Sequence, residues 1–134
     1  MKERRVLAFI LFLFFLLTGL KGLAEERRIA LVIGNSAYKG SPLRNPVNDT
    51  KDVSRLLTSL SFDVETLLDA SRMEMDDAIY RFGVKLKEGG VGLFFYSGHG
   101  AQHRGENYLI PVDAMIRSAV ELPYKAVPAG LELM

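Results

Sequence analysis

An α/β fold with a mainly parallel sheet is predicted by three features of the sequence. Short aliphatic runs alternate with amphipathic helical stretches. Strand, helix, strand, helix, strand follow one another over about 70 residues. The two most apolar runs outside the N-terminus, residues 28–34 (RIALVIG) and 91–96 (VGLFFY), lack the in–out alternation of a sheet with one wet face. Helical crossovers between parallel strands are right-handed and cover both faces of the sheet, so the expected architecture is a three-layer α/β/α sandwich.

Composition agrees. The chain has 134 residues, 49% hydrophobic and 25% charged, with a formal net charge of +1. Those values fit one ordinary globular domain, not a disordered or fibrous chain. No excess of basic residues marks a nucleic-acid partner. With no cysteine in the sequence, these residues supply no disulfide, no thiolate metal site and no sulfur nucleophile.

Residues 1–5 (MKERR) are basic and residues 6–17 (VLAFILFLFFLL) are an unbroken apolar run. The run falls short of the roughly 20 residues a spanning helix needs, and Gly22-Leu23-Ala24 supplies small residues, so residues 1–24 read as a secretory signal cleaved after Ala24. Export to a periplasm or extracellular space follows. The alternative is an uncleaved membrane anchor, the one circumstance in which a membrane is a partner. Cleavage removes Lys2, Arg4, Arg5 and Lys21 against Glu3 alone and leaves a weakly acidic domain.

Residues 25–134 contain no repeat and no internal linker. The first strand, residues 28–34, ends at Gly34. Asn45-Pro46 then opens a helix with Val53, Leu56, Leu57 and Leu60 at helical spacing. Residues 62–68 (FDVETLL) alternate like a strand nearer an edge. Ser71 and Glu74 have the spacing of a capping box, and the helix they start carries a core stripe of Met75, Ile79, Phe82 and Leu86 before Gly89-Gly90 stops it. Residues 91–96 form the next strand, and residues 108–111 (YLIP) a shorter one.

If the first strand lies between the second and the third, the winding direction reverses there. Ligands and chemistry then gather at the carboxyl ends of strands one and three, at Gly34-Asn35-Ser36 and Ser97-Gly98-His99-Gly100. In a tight loop a histidine such as His99 can simply cap a carbonyl. Flanked by two glycines at the end of the most apolar strand, it can also turn its imidazole into a cleft. With a reference pKa near 6.5 it suits a general base or the imidazolium partner of a thiolate.

The stretch from RRIALVIGNSAYKGS through GVGLFFYSGHGAQHRGENYLIPVDA, residues 27 to 114, resembles the large-subunit region of the caspase-like cysteine peptidases (peptidase C14), close to bacterial caspase-like and metacaspase proteins. The YSGHG and ENYLIPVDA elements carry the likeness. It implies a caspase-like sandwich, incomplete at its C-terminal side, with residues 25–134 as a partial peptidase domain acting on protein or peptide substrates. It also implies that His99 belongs to a Cys–His dyad and that the Gly98 amide helps to stabilise an oxyanion. The family's cysteine follows the next parallel strand in a D-x-C stretch, which these residues do not contain. Without it, the chain alone is expected to be inactive. Ser97 lacks the GxSxG elbow of a serine nucleophile.

Metacaspase-like members cleave after Arg or Lys, and the resemblance puts Asp49 on the position of one acid of the specificity pocket and Ser97 on a pocket-lining serine. Asp49 could equally serve the first turn of its helix. The second pocket acid would precede the absent cysteine. A further expectation is that residues 91–96 present an unpaired apolar edge prone to self-association. The alternative to a peptidase is a catalytically inactive caspase-like binding or scaffold domain.

No cofactor is predicted. Residues 34–41 (GNSAYKGS) lack the order of a phosphate loop, and no EF-hand loop supports calcium activation. His99 and His103 are four apart, but the glycines around His99 oppose a helix, so no metal site is assigned and His103 reads as a solvated loop residue. Asp113 reads as a turn residue, and Glu106 and Asn107 as organisers of the loop carrying His99.

Overall fold

The computed structural model describes residues 25–131 and the backbone of one strand further upstream, β1 (Phe14–Thr18). The rest of the expected signal or anchor segment lies outside the described residues. After β1 come β2 (Arg28–Gly34), α1 (Pro46–Ser59), β3 (Asp63–Leu68), α2 (Arg72–Lys87) and β4 (Gly90–Ser97). Then follow β5 (Gly100–His103), β6 (Glu106–Leu109), a 3-10 turn (Ala119–Glu121), α3 (Leu122–Lys125) and β7 (Val127–Pro128).

The unbroken aliphatic character of β2 has a direct cause, because helices cover both its faces. Ile29, Leu31 and Ile33 pack with Met75, Ala78 and Phe82 of α2. Ala30 and Val32 pack on the other side with Leu57 of α1 and with Leu93 and Phe95 of β4. This is the predicted three-layer sandwich. Of the apolar positions on α1, Leu57 is buried and Val53 packs against the same cluster, whereas Leu56 and Leu60 remain exposed. The helix turns only a narrow stripe to the sheet.

α2 begins with the expected capping box. The Glu74 amide donates to Ser71 Oγ at 3.2 Å and the Ser71 amide to the Glu74 carboxylate at 2.7 Å, satisfying two donors that the helix itself leaves open. Met75 and Phe82 are buried, with Ile79 and Leu86 partly so.

The main sheet has the order β1-β4-β2-β3, with β2 parallel to both β3 and β4. The first parallel strand is therefore central and the winding reverses beside it. Gly34 lies opposite Leu68 on one side and Ser97 on the other, so three carboxyl ends finish level. One expectation is corrected here: the outer edge of β4 is not bare. β1 pairs with it antiparallel, from Phe14 opposite Phe94 to Thr18 opposite Gly90, and takes up main-chain groups that an edge strand leaves unpaired.

The second sheet, β5-β6-β7, is antiparallel. Arg104 and Gly105, with φ of 51° and 79°, form the two-residue turn whose twist suits a hairpin. This turn moves the expected strand at residues 108–111 upstream to Glu106–Leu109, because Pro111 has no N–H to continue a ladder. It also puts His103 in a strand opposite Glu106, not in a loop. Tyr108, Leu122 and Ala126 form a small core beneath this sheet. Asn107 accepts from the Ala129 amide at 2.8 Å and so ties β6 to the segment after β7. Among the described residues no helix is long and apolar enough to cross a membrane.

Candidate active site

His99 leaves the sheet one turn beyond β4, beside the end of β2. The two strand ends are joined there by the Asn35 amide donating to the Ser97 carbonyl at 2.9 Å. The imidazole is half-exposed, and its Nε2 lies 2.8 Å from the Ser41 carbonyl oxygen. A carbonyl only accepts, so Nε2 carries a proton in this arrangement and the neutral ring keeps its lone pair on Nδ1. The main-chain oxygen of Ser41 thereby fixes both the tautomer and the tilt of the ring.

Beneath this turn lie two tyrosines. The His99 amide donates to the Tyr38 hydroxyl at 3.0 Å, and Tyr38 donates to the Ile110 carbonyl at 2.7 Å. The Tyr96 hydroxyl donates to the His99 carbonyl at 2.7 Å, which also accepts from the Ile110 amide at 3.0 Å. Burial raises the pKa of both phenols, Tyr96 the more strongly, and at Tyr96 the Tyr38 hydroxyl 3.0 Å away adds to the rise. Both therefore stay protonated donors throughout the neutral range. Gly98 is required above them. A Cβ at this position would lie 2.5 Å from the Tyr96 hydroxyl and 2.6 Å from that of Tyr38.

The loop that delivers Ser41 and Tyr38 is held at its root. The side-chain oxygen of buried Asn35 accepts from the Ala70 amide at 2.8 Å. One carboxylate oxygen of Asp69 accepts from the amides of Ser36 and Ala37 at 2.8 and 2.9 Å, while the Asp69 amide donates to Gly34 at 2.8 Å. Ser36 in turn accepts from the amides of Tyr38 and Leu43 at 2.9 Å. Asp113 has a larger part than a turn. It accepts from the Arg72 amide at 3.0 Å, fastening the segment after β6 to the start of α2.

The expected site residues divide as follows. His99 and Gly98 share one turn. Ser97 ends β4 and is buried, 8% exposed. Asp49 is exposed in the first turn of α1, and its carboxylate forms no ion pair or side-chain hydrogen bond among the described residues. α1 starts directly after the loop that leaves β2, so Asp49 belongs to the same end of the sheet as His99. Gly100 faces Leu109, and the flanking bond from the Ile110 amide to the His99 carbonyl makes that pair a non-hydrogen-bonded one. The Gly100 amide accordingly points away from β6.

Sequence reasoning missed Ser41, Tyr38 and Asp69, and named Asn35 only as part of the end of the first strand. Ser41 acts through its main chain and leaves no signal in residue type. Tyr38 did leave one, a lone aromatic in the polar loop GNSAYKGS. Among the described residues no group of three or more His, Cys, Asp or Glu side chains could hold a metal.

A parallel sheet wound outward from a central first strand, with a glycine-flanked imidazole at its level carboxyl ends, defines a caspase-type α/β sandwich. The family model of the caspase domain, peptidase C14, matches residues 27–124, and the chain belongs to that family. It is 40% identical over 93 residues to the human mucosa-associated lymphoid tissue lymphoma translocation protein 1, a span covering 69% of this chain and 11% of that protein. The mouse homolog matches with the same identity and coverage. The chain thus spans about a tenth of the length of these curated relatives.

Proposed function

We propose that these residues form the histidine-bearing part of a cysteine-type endopeptidase. In this reading His99 Nδ1 takes the proton of a cysteine thiol carried on polypeptide beyond this sequence and then gives it to the leaving amine. The observation that carries the reading is the His99 ring itself, half-exposed at the switch point of the sheet and held through Nε2 by the Ser41 carbonyl at 2.8 Å. Of the neighbouring amides, Gly98 was expected from the resemblance to serve the oxyanion. It is buried against the tyrosine hydroxyls, and the alternation of the β5–β6 ladder supports the Gly100 amide as a second donor.

Basic residues before the scissile bond are the proposed preference. The Asp49 carboxylate is exposed and without a cationic partner among the described residues, which suits a substrate guanidinium, and Ser97 would line the same pocket. Substrates are proteins or peptides, with no cofactor required. The N-terminal apolar run supports export as the proposed location, with membrane anchoring as its alternative. The absence of cysteine from the sequence favours a second reading, a catalytically inactive binding or scaffold domain.

The experiment that separates these readings starts from the coding sequence downstream of codon 134. A D-x-C stretch behind an apolar strand, and hydrolysis of Arg- or Lys-containing fluorogenic peptides by the longer product, support the peptidase. Asp49→Asn should then lower turnover after Arg by about tenfold, as expected for losing one charge-assisted pair. A reading frame without a cysteine overturns it in favour of the scaffold.

A further inference from the structure

We infer that Tyr38, assisted by Tyr96, is the positioning residue for His99, clamping its main chain and its ring together. The inference rests on the reading of His99 as the acid–base group. Three contacts converge. The Tyr38 hydroxyl accepts from the His99 amide at 3.0 Å. It donates to the Ile110 carbonyl at 2.7 Å. The Tyr38 ring lies directly against the imidazole, with centroids 4.4 Å apart and planes tilted by 55°, a close contact that limits the ring's freedom to turn.

The two phenols divide the donor work beneath the turn, although the Ile110 carbonyl also lies 3.1 Å from the Tyr96 hydroxyl and 3.4 Å from Asn35 Nδ2. Each phenol has one proton, and two carbonyls, those of His99 and Ile110, face the pair. Tyr38 satisfies Ile110 and Tyr96 satisfies His99, each at 2.7 Å. The 3.0 Å approach of the two oxygens then places no unmet demand on either donor. Both main-chain groups of His99 are thereby occupied from below, its amide by Tyr38 and its carbonyl by Tyr96 and Ile110. The side chain retains few degrees of freedom. Ser41 sets the outer end of the ring and Tyr38 its inner face. Tyr38 and Ser41 sit on the same loop, three residues apart, so one segment delivers both restraints. A base held in one tautomer and one orientation meets its proton without a search.

The test uses the full chain labelled with nitrogen-15, in which His103 is the only other histidine and serves as an internal reference. Long-range proton–nitrogen spectra of the imidazoles should show His99 in the Nε2–H tautomer. Tyr38→Phe, which keeps the ring and removes the hydroxyl, should shift the His99 tautomer ratio toward Nδ1–H and speed exchange of the His99 amide, each by about fivefold to tenfold, the effect of one lost hydrogen bond. His103 should not respond. A folded Tyr38→Phe chain with unchanged His99 tautomer and amide exchange would overturn the inference. Should that variant not fold, the unsubstituted chain decides: cross-peaks between Tyr38 ring protons and His99 imidazole protons are expected, and their absence overturns it. These readouts need no thiol, so they stand or fall separately from the peptidase reading.

Discussion

The main-chain amide of His99 donates to the hydroxyl of Tyr38 at 3.0 Å, although 61 residues of sequence separate them. The bond makes the histidine turn depend on a neutral phenol. Both Tyr38 and Tyr96 have pKa values raised by burial above the ordinary tyrosine value. The sign follows from linkage. A raised folded pKa gives stability that is fully present below the unfolded value near 10 and is lost as pH rises from there toward the folded value. Folding stability should accordingly fall above about pH 10, by up to roughly 1.4 kcal/mol per pH unit for each of the two groups. Denaturant melts at pH 9, 10 and 11 read this directly, and Tyr96→Phe should flatten the alkaline slope by about one group's share. A slope unchanged by that substitution would contradict the network.

Asp69 carries the loop that brings Tyr38 and Ser41 to the imidazole. Its φ of 52° is one that asparagine tolerates better than most residues. Asp69→Ala removes the acceptor of two amides and adds backbone strain, and should cost about 1–3 kcal/mol. Asp69→Asn keeps an acceptor oxygen and should cost less than half as much. Equal losses for the two variants, measured by urea denaturation, would remove Asp69 from this role.

The covered edge of β4 makes a prediction about processing. Cutting after Ala24, where the sequence leads one to expect it, takes β1 away and bares the outer edge of β4 from Gly90 to Phe94. Residues 25–134 should then self-associate with rising concentration in sedimentation, through pairing of this edge in a second copy. A sharply melting monomer of residues 25–134 would show that β1 is dispensable to the edge.

The parallel core was legible because its signals are local and redundant. The run from Ile29 to Gly34 has no polar position to misread, and Ser71 with Glu74 announces a helix start by chemistry alone. The switch point followed from strand order, which led to His99 before any resemblance was used. Legibility ended where structure depends on long-range partners. The edge of β4 is met by a segment that reads as an export signal, a role set by different physics from strand pairing. The hairpin's register depends on Arg104 taking a positive φ, which its residue type does not announce. The Ser41 carbonyl is a main-chain group that any residue could supply, and Tyr38 gains its meaning only when Ile110 and His99 are brought to it.

The peptidase reading requires the His99 imidazole to do proton chemistry for a thiol. Its most direct measurement is kcat/KM of the longer, cysteine-bearing product on an arginyl fluorogenic peptide, with His99→Ala assayed without and with added imidazole. His99→Ala should lose about 100-fold to 10,000-fold, partly restored by free imidazole. Turnover that survives His99→Ala within a factor of about two, a fraction of the 1.4 kcal/mol that each tenfold represents, would contradict it.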